Sequence, residues 1–168
     1  AYTLTPTTLD EAITRDCLLG RLAGESAPQR VICVVDATNL RLNLRLVLEL
    51  RDLGVPMIVA LNMSDLAQSR GFGLDRERLE RELGVPVVET VAIRDGGERA
   101  LLERLEGLPA PAAGPAADWR ESSFEQIQQT QREVRRMLHD AGYSEPARRR
   151  ALRRLDAIVM HPFAGPLI

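Results

Sequence analysis

Two polar side chains, Asn62 and Asp65, stand three residues apart at the end of the apolar run Met57-Ile58-Val59-Ala60-Leu61. An ionised carboxylate only accepts hydrogen bonds, and two parallel donors on one molecular edge satisfy both of its oxygens. Guanine carries such an edge, a ring N1–H beside an exocyclic amine. Adenine has an acceptor at N1 and only a C–H at C2, its amine lying on the other side of N1. A buried acceptor left unpaired costs about 1–3 kcal/mol, more when charged, so an Asp65 facing a base would discriminate strongly between the purines.

Those side chains need a strand to deliver them. Five apolar residues preceded by Gly54 and Pro56 read as a strand buried on both faces, as in parallel sheets. In open α/β sheets, ligands bind at the carboxyl ends of the strands. Val31-Ile32-Cys33-Val34-Val35, ending at Asp36, is a second such run, and Val87-Val88-Glu89-Thr90-Val91 a third. Between them a helix is expected over 40–53, with Leu42, Leu46, Val47, Leu50 and Leu53 toward the sheet and Gly54 as its stop. Another carries Leu79 and Leu83, capped by Asp75 and closed by Gly84, while Gly71 and Gly73 leave 66–73 irregular. A turn over 94–97 precedes a helix over 98–105. Upstream, Thr8-Leu9-Asp10-Glu11 has the capping-box pattern and opens a helix with Leu9, Ala12, Ile13 and Cys17 on one face. Alternating strands and helices imply a parallel sheet. Opening on a helix suggests a domain that starts before Ala1.

Residues 109–117 are almost wholly Pro, Ala and Gly, a linker composition. Beyond them the periodicity is helical. Ser122-Ser123-Phe124-Glu125 reads as a second capping box, with Phe124, Ile127, Val134 and Leu138 on one face until Gly142. Ser144-Glu145-Pro146 starts a last helix, which His161-Pro162 stops. The expected organisation is an α/β domain over 1–108, a linker over 109–117, a helical domain over 118–160 and a short apolar tail over 161–168.

With 45% hydrophobic and 27% charged residues and a net charge of -2, the chain has a globular profile without the basic excess of a nucleic-acid binder. All 22 basic residues are Arg. A phosphate-binding loop of the Gly-Lys-Ser/Thr type is therefore not in this sequence. Cys17 and Cys33 lack metal or disulfide spacing and read as small buried hydrophobes. His139 and His161 are isolated and read as structural. No metal ligands are assigned, and no run is long enough to span a bilayer. Asp36 stands where a receiver domain has its phospho-acceptor, but no Lys accompanies it, and capping of the following helix is the stronger reading.

Placed after its strand, Asn62-Met63-Ser64-Asp65 resembles the guanine-specificity motif of small GTPases, Asn-Lys-x-Asp, with Met in place of Lys. Val34-Val35-Asp36-Ala37-Thr38-Asn39-Leu40, Leu61-Asn62-Met63-Ser64-Asp65 and His161-Pro162-Phe163-Ala164-Gly165-Pro166-Leu167-Ile168 occur in this order in the bacterial ferrous iron transport protein B family. That family's guanine motif commonly reads Asn-Met-x-Asp. Its cytosolic GTPase domain is followed by a helical domain and then a polytopic membrane domain. Tyr2-Thr3-Leu4 and Leu9-Asp10-Glu11-Ala12 resemble the segment after its Asp-x-x-Gly switch motif, and the final His-Pro-x-x-Gly-Pro resembles the entry to its first membrane helix.

The resemblance implies an α/β, P-loop-GTPase-like parallel sheet, incomplete at its N-terminus and followed by a small all-helical domain. It implies GTP and GDP as ligands, with Mg²⁺ ligands, P-loop and switches upstream of Ala1, and no catalytic residue in this chain. Asp65 would read the guanine edge, Asn62 would hold the loop, and Met63 would lie against the purine face. Ser64 has no distinct assigned role. Val91-Ala92-Ile93 aligns with the last nucleotide motif, where a backbone N–H meets the guanine carbonyl. Function would be GTP binding and slow hydrolysis coupled to Fe(II) uptake, at the cytoplasmic face of the bacterial inner membrane, with the membrane domain of the same polypeptide as partner. Arg148, Arg149, Arg150, Arg153 and Arg154 beside the tail fit contact with anionic lipid, although such a run is ordinarily a solvated helix face. Two other readings stay open, a non-catalytic G-like scaffold module and a soluble GTPase of another branch. Oligomeric state also stays open, a homo-oligomer included.

Overall fold

The computed structural model describes residues 3–6, 8–107 and 121–146 of the 168. Three parallel strands, β1 (Val31–Asp36), β2 (Met57–Asn62) and β3 (Val87–Thr90), pair in the order β1-β2-β3. Their register aligns Asp36 with Asn62 and Asn62 with Thr90, so all three strands end in one row. β2 is central and buried on both faces, with no residue from Met57 to Leu61 more than 6% exposed. β1 departs from the expected double burial. Cys33 and Val35 point inward, whereas Ile32 and Val34 are 44% and 62% exposed. Successive strand side chains face opposite ways, and no described element covers the outer face of this edge strand.

Helix α1 (Leu9–Leu18) follows Thr8, α2 (Leu40–Asp52) joins β1 to β2, and α3 (Ser64–Ser69) with α4 (Arg76–Leu83) joins β2 to β3. Helices α5 (Arg99–Glu106) and α6 (Phe124–Asp140) complete the described elements. In α2 the residues facing the core are Leu40, Leu44, Val47, Leu48 and Leu50, and Leu42, expected inward, is exposed. Leucines at alternate positions in Leu40-Arg41-Leu42-Asn43-Leu44 offer the helix more than one apolar phase, and packing chooses among them. In α1 the expected stripe is likewise displaced. Glu11 and Leu18 are buried, while Leu9 and Ile13 stand out on a face no described element covers. The Thr8 hydroxyl makes no bond to a helix N–H. It bonds the Asp10 carboxyl instead and holds it below the ordinary carboxylate range.

Asp75 caps α4 as expected, accepting from the Arg78 N–H at 3.0 Å. The capping box of α6 sits one residue later than the sequence pattern. Gln126 N–H donates to Ser123 Oγ at 3.3 Å, and Ser123 N–H donates to Gln126 Oε1 at 2.7 Å. That frame leaves Phe124 exposed and brings Met137 inward beside Val134 and Leu138. Helix α6 packs on α2 and α4, and its Val134, Met137, Leu138 and Ala141 share one core with Val35, Leu44, Leu79 and Val87. Arg51 pairs with Glu133 at 2.9 Å across the α2–α6 contact. Beyond α6, Ser144 and Gly73 exchange backbone hydrogen bonds of 2.9 and 3.0 Å. The linker at 109–117, the last helix with its arginines at 148–154, and the tail at 161–168 lie outside the described residues. No described helix is long and apolar enough to cross a membrane.

Candidate functional site

At the carboxyl end of the sheet the chain reverses within one residue. Met63 takes the left-handed conformation (φ 60, ψ 28), alone among the described non-glycine residues. For an L-residue this costs about 1–2 kcal/mol. The reversal starts α3 at once and puts Asp65 in its first turn, with a side chain 32% exposed. A helix therefore occupies part of the stretch expected to be irregular. Its anchor is Ala67, a small residue buried beside the sheet.

Asn62 joins the loops after all three strands. Its Oδ1 accepts from the Ala92 N–H at 3.1 Å and from the Thr90 hydroxyl at 3.5 Å. Its backbone carbonyl accepts from the Ala37 N–H at 2.9 Å. Ser64, assigned no role from sequence, donates from Oγ to the Thr90 carbonyl at 3.5 Å and adds a second tie between the same two loops.

The loop after β3 is closed by its own backbone. Val91 N–H donates to Gly97 at 3.3 Å, Arg94 N–H to Val91 at 2.9 Å, and Gly97 N–H to Arg94 at 2.9 Å. A Cβ on Gly97 would stand 2.0 Å from the Val91 carbonyl oxygen, so only glycine fits. Ile93 lies at the tip, 95% exposed. Val91 and Ala92 have their N–H groups committed to Gly97 and Asn62. That of Ile93 has no partner among the described residues. Arg94, read from sequence only as the start of a turn, extends its Nη2 to 3.0 Å from Asp65 Oδ2. Its one sequence signal was charge opposite to Asp65 on the neighbouring strand-end loop.

The remaining candidates stand apart. Asp36 Oδ1 accepts from Thr38 N–H at 2.7 Å and Thr38 Oγ1 at 2.8 Å. It therefore holds the turn ahead of α2 rather than capping the helix. Asn39 occupies the N-cap position, and Asp36 is too far upstream to reach the first helical N–H groups. Burial pushes the Cys33 thiol up to about 11, so it stays protonated at neutral pH. His139 is exposed and lies 3.1 Å from the Asp140 carboxylate. Among the described residues no three His, Cys, Asp or Glu side chains are grouped to hold a metal.

The site thus offers a carboxylate, an uncommitted N–H and two exposed apolar side chains, Met63 and Ile93, on adjacent loops. That combination suits a planar ligand with a donor edge. An α/β domain whose polar groups converge at the carboxyl ends of parallel strands belongs to the class that places nucleotides there. The family model for ferrous iron transport protein B matches residues 1–105. The chain belongs to that family, and the matched residues are similar to its G-domain.

The Fe(2+) transporter FeoB of Salmonella typhimurium is 44% identical over 95 residues, which make up 56% of this chain and 12% of that protein. The Escherichia coli K12 counterpart is 42% identical over the same length. The chain therefore spans 12% of the length of these curated relatives. Among solved structures, the FeoB G-domain of Methanococcus jannaschii aligns at TM-score 0.57 and 38% identity, over 63% of this chain and 65% of that one. The cytosolic domain of T. maritima FeoB in its GMPPNP form aligns at TM-score 0.64 over 84% of this chain and 77% of that one. At 22% identity, that likeness shows the fold alone.

Proposed function

We propose that this chain carries the base-recognising side of a guanine-nucleotide switch, in a protein that binds GTP and GDP, hydrolyses GTP slowly and couples that cycle to Fe(II) uptake. The observation that carries this reading is the junction at Asn62, which binds the loop bearing Asp65 to the loop bearing Ile93. Asp65 accepts the N1–H and amine of guanine. Met63 and Ile93 lie against the faces of the ring, and the Ile93 N–H is the donor available to the base carbonyl. The aligned Ala92 N–H serves Asn62 in this arrangement.

Further support comes from the relatives. They carry the name Fe(2+) transporter, and the T. maritima cytosolic domain was solved in GMPPNP and GDP forms. Residues 118–160 would relay nucleotide state to a membrane domain of the same polypeptide at the cytoplasmic face of the inner membrane. The shared core of α6 and the sheet favours such a relay.

The test is Asp65→Asn in the full-length protein, titrated with GDP and with xanthosine diphosphate. The amide donates where the carboxylate could only accept, and xanthine has a carbonyl in place of the amine. Losing hydrogen bonds to a charged acceptor, at about 1.5–3 kcal/mol, weakens GDP roughly 10- to 150-fold, while xanthine binding appears. Unchanged GDP affinity would remove Asp65 from the site. Absence of guanine-nucleotide binding in the parent protein would favour a scaffold.

A further inference from the structure

The Arg94–Asp65 pair has a chemical meaning beyond charge. In guanine, C2 with N1, N3 and the exocyclic nitrogen is a guanidine unit built into a ring, and the N–H groups on N1 and the exocyclic nitrogen are what a carboxylate reads. Arg94 presents the same planar group, with Nη2 at 3.0 Å from Asp65 Oδ2. Its backbone is fixed for the purpose. Arg94 N–H and carbonyl are both engaged in the closed 91–97 loop, which admits only glycine at position 97. The same loop is tied to β2 through Asn62. The Arg94 side chain itself is 66% exposed, so it can swing out without disturbing the core.

We propose that Arg94 is an internal competitor for the base: its guanidinium occupies the Asp65 carboxylate that guanine needs, and nucleotide binds only after displacing it. The inference rests on the guanine reading of Asp65. The apparent affinity is then the intrinsic affinity multiplied by the fraction of molecules in which Asp65 is unpaired. An exposed ion pair supports a reduction of roughly two- to fivefold. The cost falls on association, because the bound state no longer contains the pair.

The experiment is stopped-flow and equilibrium binding of fluorescent mant-GDP to the full-length protein, comparing wild type with Arg94→Ala, Arg94→Gln and Asp65→Ala. Arg94→Ala and Arg94→Gln should each tighten binding about two- to fivefold through a faster association rate, with dissociation unchanged. Raising salt screens the pair and should bring the wild-type association rate toward that of the variants. If Arg94 only braces the loop, its variants bind more weakly and release nucleotide faster, and the proposal is overturned. Equal affinities overturn it as well. If Asp65→Ala itself leaves guanine binding unchanged, the guanine reading fails and the competitor role fails with it. If Asp65→Ala abolishes the guanine preference while the Arg94 variants match wild type, only the competitor role is lost.

Discussion

Gly97→Ala isolates the loop that carries Ile93 and Arg94. The new Cβ would lie 2.0 Å from the Val91 carbonyl oxygen and 3.1 Å from that of Arg94. The first distance falls about 1 Å short of any tolerable carbon–oxygen contact, and the obstacle is backbone, so the loop must open. Opening breaks the Val91–Gly97 and Gly97–Arg94 hydrogen bonds of 3.3 and 2.9 Å. At about 0.5–1.5 kcal/mol each, the expected destabilisation is about 1–3 kcal/mol.

Gly96→Ala is the control. There the neighbouring atom is Arg99 Nη2 at 3.5 Å, an ordinary contact with a flexible side chain, and the obstacle is a φ of +73. That variant should lose only about 1 kcal/mol. Urea unfolding of both, with coincident fluorescence and circular dichroism transitions to establish two-state behaviour, gives the comparison. Gly97→Ala must cost more than Gly96→Ala, and it must also weaken GDP binding. A Gly97→Ala protein within 0.5 kcal/mol of wild type, roughly the spread of neutral surface changes, would refute the geometry of the loop.

Asn62→Ala should cost about 1–2 kcal/mol, because the Ala92 N–H and Thr90 hydroxyl lose their shared acceptor. Asn62→Asp keeps an oxygen there and should stay near wild type in urea melts, so equal losses in the two variants would contradict the hydrogen-bond account. Met63→Gly relieves the left-handed backbone at φ 60 and should leave stability unchanged or raise it by up to about 1 kcal/mol. The same change removes the apolar contact to the base and should weaken GDP about fivefold, read by titration. A marked fall in stability would refute the strain.

Much of this architecture could be read from residue order. The run Met57–Leu61 is the central strand because nothing in it tolerates water, and Asn62 and Asp65 follow at the strand's carboxyl end. Asp75 and Gly84 bracket α4 through side-chain and backbone preferences that act within a few residues. The misjudged features depend on what lies across from them. The phase of α2 was hidden by alternate leucines, and the exposure of Ile32 and Val34 depends on which strands and helices neighbour β1. Ser64, Thr90 and Arg94 gain their roles from partners up to 29 positions away, and no local pattern marks such pairings. Left-handed Met63 was also illegible, since methionine has no preference for that conformation.

The clasp between Gly73 and Ser144 has a consequence for how such chains can diverge. Helix α6 is secured by its packing on α2 and α4 and by this backbone exchange. The exchange uses main-chain atoms alone, so the side chains at both positions are free to vary. Even at Gly73 a Cβ would meet only Ser144 Oγ at 2.5 Å, a hydroxyl that can rotate aside, so the clasp can outlast changes in the residues that make it.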